Sequence, residues 1–153
     1  MFDIRVERVL TSTETASVGA EAFGRITVGD FSERFLMSLS YWSPEHYQQQ
    51  WHAALVRLAT TPDANSCLIS SATRPADSNF ILCWPLYRDR DVVHVQNRIL
   101  FLDELDGPLD LEQQWTVLDV RESVTDDGVA ISEWSTGIEE IKSYLRQQNS
   151  TGS

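Results

Sequence analysis

A chain of 153 residues, 42% hydrophobic and 23% charged, is sized for one globular domain around a single core. Its net charge of −11 leaves no basic stripe for a nucleic-acid backbone, and no run approaches the roughly eighteen apolar residues of a membrane span. Two cysteines, Cys67 and Cys83, provide neither a disulfide framework nor a metal site. Their apolar neighbours on separate predicted strands mark them as reduced core thiols.

The N-terminus, MFDIRVERVL, alternates apolar and charged residues and lacks the apolar centre of a signal peptide, so a cytoplasmic location is expected. Phe2 to Leu10 reads as a strand, with Phe2, Ile4 and Val6 on one face and Asp3, Arg5 and Glu7 on the other. Thr11 to Gly19 reads as a loop. Ala20 to Val28 resumes a strand, Gly29-Asp30 offers a turn, and Phe31 to Tyr41 continues the half-buried alternation.

Ser43, Pro44 and Glu45 then give an N-cap, a first helical residue and an acid at the positive end of the dipole. Tyr47, Trp51, Ala54, Leu55 and Leu58 recur at steps of three and four, so the spacing predicts a helix from Pro44 to about Ala59, ending before Pro62. Three strands follow: Ser66 to Ser71, Asn79 to Tyr87, and Val92 to Leu102. Pro85 implies an edge position or a bulge in the second of these. Ser135 is placed to cap a closing helix whose Ile138, Ile141 and Leu145 share a face. For Tyr41 and Trp42, burial of both under the helix and a loop is favoured over a surface anchor, whereas Trp84, Tyr87 and Trp134 are not sorted between core and surface. The predicted fold is a single α+β domain over residues 1–147. It has an antiparallel sheet of about five or six strands, two main helices packed on it and a disordered tail at 148–153.

The charge is uneven. From Asp103 to Asp127, nine acids face a single Arg121, so −8 of the total −11 falls in one segment. Such a segment is either a solvated acidic loop or a steering surface for a basic partner. No helical or strand period is clean within it.

Catalytic chemistry is hard to assemble from these residues. His46 and His52 lie on nearly opposite faces of the predicted helix, so they cannot pair on a metal. His94, between two valines, reads as a satisfied sheet histidine. Gly19, Gly24 and Gly29 are isolated and open no phosphate loop, and HExxH, GxSxG and CxxC are all absent. No catalytic residue, metal ligand or cofactor is assigned. The alternative is a small enzyme or ligand-binding domain, with a pocket between sheet and helix lined by His94, Asp119 or Tyr87.

The pattern ITVGDFSERF, SLSYW, then QW with AL and RL on the helix, resembles the immunity proteins of bacterial contact-dependent growth inhibition systems. QNRILF at Gln96 to Phe101 and SEW at Ser132 to Trp134 fit the same family, so the resemblance runs from about Gly24 to Leu145. It implies a non-enzymatic protein that binds one cognate toxin domain and blocks it, and it leaves the toxin's identity and the oligomeric state open. Charge alone nominates Asp103, Glu104, Asp106, Asp110 and Glu112 as toxin-binding residues, with Asp126 and Asp127 as second choices. The expected partner is a basic toxin domain, a nuclease of the CdiA C-terminal type.

Overall fold

A hairpin succession begins the chain. In the computed structural model, which describes residues 1–10, 21–72, 80–101, 128 and 130–151, β1 (Phe2–Val9), β2 (Glu21–Val28) and β3 (Phe31–Ser38) form an antiparallel sheet in that order. The alternation read from the sequence sends Phe2, Ile4, Ala22, Ile26, Val28 and Met37 inward, all buried. Gly29 turns the chain at φ 61°, and its N–H donates to the Met1 carbonyl at 2.8 Å. Gly24 lies opposite Phe35, and a Cβ there would come within 2.5 Å of the Phe35 ring, so the missing side chain makes room for the aromatic one.

Strand β3 stops at Ser38 rather than Tyr41, because residues 39–41 form a turn into the helix. The turn separates two neighbours expected to be buried together: Trp42 is 4% exposed and Tyr41 43%. Trp42 stacks on His46 with ring centroids 4.5 Å apart. Helix α1 (Pro44–Thr60) begins as its cap predicts, with Ser43 Oγ accepting from the His46 N–H at 3.2 Å.

The chain returns as a second sheet. β4 (Asn65–Ser71), β5 (Phe80–Asp89), β6 (Val92–Gln96) and β8 (Glu133–Gly137) follow in that order, and β7 (Arg98–Phe101) also pairs with β5. The antiparallel α+β class therefore holds, with the described strands divided into sheets of three and five. Pro85 sits in a central strand, not an edge. β6 pairs with Leu86 to Asp89 and β7 with Phe80 to Cys83, so the strand predicted from Val92 to Leu102 breaks opposite the proline. The break follows from the missing N–H, since the Cys67 carbonyl turns away from β5 and the opposed Pro85 nitrogen must face the β6–β7 side.

Ser135 belongs to β8 and caps nothing. Helix α2 (Ile138–Thr151) starts instead with the Ile138 N–H donating to the Asp91 carbonyl at 2.8 Å, and it continues into the segment expected as a tail. Ile138 and Ile141 are buried, and so is Tyr144.

Between the sheets, Phe31 stacks on Trp134 at 3.8 Å and 13°, while Phe31 and Phe35 both approach Trp84 at 6.3 Å. Cys67 and Cys83 are buried thiols without a disulfide, and burial pushes Cys67 well above its ordinary pKa.

The helices also satisfy open sheet edges. Gln50 Nε2 donates to the Cys67 carbonyl at 2.7 Å while its Oε1 accepts from the Ile69 N–H at 2.9 Å, as a neighbouring strand would. Trp51 Nε1 donates to the Ile69 carbonyl at 2.7 Å, and Arg57 Nε donates to the Asn65 carbonyl at 3.0 Å. Tyr47 Oη accepts from the Ala72 N–H and donates to the Ser38 carbonyl, joining β4's end to β3. Helix α2 does the same for β1, where Tyr144 Oη donates to the Ile4 carbonyl at 2.6 Å.

These tyrosines predict an alkaline weakness. Burial pushes the Tyr47 hydroxyl up to about 12, and burial together with the Asp3 charge raises Tyr144. A raised folded-state pKa means the contribution is complete below the unfolded value near 10 and is lost as pH climbs through the folded one. Unfolding free energies from urea titrations at roughly pH 9 and 11 should fall, by at most about 1.4 kcal/mol per pH unit for Tyr47. Tyr47→Phe should flatten part of that slope.

Candidate functional site

The acids nominated from charge, Asp103, Glu104, Asp106, Asp110, Glu112, Asp126 and Asp127, lie outside the described residues, as does Asp119. The described strands on either side of them in sequence belong to one sheet: β7 lies beside the central strand, and the chain re-enters that sheet at the edge strand β8.

Next to that re-entry lies the polar group most suggestive of chemistry. The ladders align Tyr87, His94 and Ser135 across β5, β6 and β8. His94 Nδ1 stands 3.0 Å from Ser135 Oγ and 3.6 Å from Glu133 Oε1, and Glu133 Oε2 accepts from Gln96 Nε2 at 2.8 Å. A serine, a histidine and a carboxylate are thus together, but both partners approach the same ring nitrogen. A general-base relay needs the hydroxyl on one nitrogen and the acid on the other. The arrangement serves as a cross-strand polar ladder, with the His94 and Glu133 side chains each 18% exposed. Burial raises the Tyr87 hydroxyl, and the Arg98 guanidinium pulls it back.

The outer face of the three-stranded sheet carries a second polar network. Glu7 accepts from Arg25 at 3.1 Å and from Arg34 at 3.2 Å, which holds its carboxyl below the usual range, and Arg34 also lies 4.9 Å over the Phe23 ring. A third feature is a cleft at the corner of α1, α2 and β1, which includes His52 but not His94. Among the described residues, no group of three or more His, Cys, Asp or Glu side chains is placed to hold a metal ion.

Sequence reasoning overlooked Gln50, Tyr144 and the Ser135–His94 contact. The first two had a signal, since Gln50 is three residues beyond Tyr47 and Tyr144 three beyond Ile141, both on buried faces. The third depends on a pairing between strands 41 residues apart, which no local pattern announces.

The family model for the CdiI N-terminal domain matches residues 37–144. The immunity protein CdiI of Enterobacter cloacae subsp. cloacae is 31% identical over 124 residues, covering 81% of this chain and 84% of that protein. Among solved structures, a chain of the CdiA-CT/CdiI toxin and immunity complex from Enterobacter cloacae matches with a TM-score of 0.82 at 28% identity. That match covers 98% of this chain and 99% of the other.

Proposed function

Because the chain belongs to the CdiI family of contact-dependent growth inhibition immunity proteins, we propose that it binds one cognate CdiA-type C-terminal toxin domain in the cytoplasm and neutralises it without chemistry of its own. The observation that carries this reading is the structural likeness over nearly the whole length of both chains to a member of a toxin and immunity complex. The single-nitrogen geometry at His94 supports the non-enzymatic part.

The toxin is a nuclease with a basic substrate cleft. Asp103, Glu104, Asp106, Asp110 and Glu112 engage that cleft, with Asp126 and Asp127 flanking. In this role carboxylates substitute for phosphates, steer the encounter and pair with lysines of the toxin. Buried aromatic contacts supply most of the affinity.

Co-expression tests the proposal. Cells producing the cognate CdiA-type C-terminal domain should stop growing alone and grow normally when the chain is present. Continued arrest with the chain stably accumulated would overturn the reading. His94→Gln and Ser135→Ala should both retain protection, whereas a relay would be abolished by either.

A further inference from the structure

Helices α1 and α2 meet the edge of β1 around a cleft of about 70 Å³. Ile4, Trp51 and Tyr144 form its floor, and all three are buried. Trp51 Nε1 and Tyr144 Oη are already committed to the carbonyls of Ile69 and Ile4, so the floor offers apolar surface. Arg5, Gln48, His52 and Gln148 form the rim.

Every rim side chain can donate an N–H, and no carboxylate lines the cleft among the described residues. Arg5 is tethered through Nε to Asp3 at 3.6 Å, and its guanidinium has four further N–H donors. The Ile4 N–H leaves β1 on the same side as the carbonyl that meets Tyr144, towards the cleft. The volume suffices for several waters, hence for one carboxyl group. In a chain of net charge −11, a notch lined by N–H donors and by no carboxylate among the described residues is out of character with the whole, even with Asp3 beside it sharing the Arg5 charge.

We propose that this cleft receives one aspartate or glutamate side chain of the cognate toxin domain. The inference rests on the proposed function and adds a subsite to it. A toxin carboxylate would be repelled by an acidic face elsewhere, so a notch that accepts one fixes the register of the two proteins. The source is a partner side chain rather than a free anion because Arg5 is 61% exposed, and a single exposed cation holds a small anion only weakly. Presented from a docked protein, the same carboxyl has a high effective concentration.

The test measures the dissociation constant of the purified toxin domain for the wild-type chain and for Arg5→Gln and Gln48→Leu. Each variant should weaken binding by about tenfold or more, with unchanged melting temperature. Acid-to-amide substitutions across the toxin should then yield one whose loss appears with wild-type chain and vanishes with Arg5→Gln. Unchanged affinity in both variants would overturn the proposal. So would sodium acetate binding at the cleft, followed by the Trp51 indole signal, with toxin affinity unaffected. Failure of the wild-type chain to bind the toxin at all would instead count against the proposed function.

Discussion

Trp51→Ala is expected to remove about 4–8 kcal/mol of the protein's stability. Trp51 is 2% exposed, sits edge-on to Phe35 with centroids 6.1 Å apart, and donates to the Ile69 carbonyl on the open edge of β4. Deleting a buried tryptophan costs about 3–5 kcal/mol in transfer and cavity energy. The orphaned carbonyl adds about 1–3 kcal/mol. Domains of this kind are stable by only about 5–15 kcal/mol in total, so the change consumes much of what is available. Trp51→Phe separates the two contributions, because it keeps most of the apolar volume and removes the donor. Urea unfolding of the three proteins at one pH should rank wild type, Trp51→Phe and Trp51→Ala in falling order. A Trp51→Ala midpoint close to wild type would mean that Trp51 contributes little to closing the β4 edge.

Reversing the charge at Asp103, Glu104 and Asp106 together to lysine should slow association with the toxin domain by about tenfold or more at low salt. Steering acts over the Debye length, about 10 Å at 0.1 M salt, so raising the ionic strength should narrow the gap between variant and wild type. Dissociation should change less than association if these acids guide the encounter and aromatic anchors hold the complex. Stopped-flow mixing at two salt concentrations reads both rates. Equal association rates for variant and wild type would move the interface away from this segment.

Helix α1 was legible because its cap, its proline and its apolar spacing are local and agree with one another. The alternation of Phe2, Ile4 and Val6 against Asp3, Arg5 and Glu7 was equally plain, and so was the Gly29 turn. What escaped was tertiary. Nothing near Gln50 reveals that its amide will stand in for a strand, since the need arises on β4. Ser135 carried the mark of a cap, and the pairing of β8 with β6 overrode it. The division into two sheets followed from α1, which separates β3 from β4 and interrupts the hairpin succession. The cleft was illegible for the same reason, as its rim draws on three elements separated by most of the chain. Charge supplied the acidic segment at once, because net charge is a sum over residues and needs no fold.

The most direct measurement is a titration of the purified toxin domain's activity with increasing amounts of this chain. A non-enzymatic immunity protein must act by occupancy, so activity should fall linearly and vanish at one chain per toxin domain. Complete loss at a small fraction of that amount would show turnover and contradict the account, as would full activity with the chain in excess.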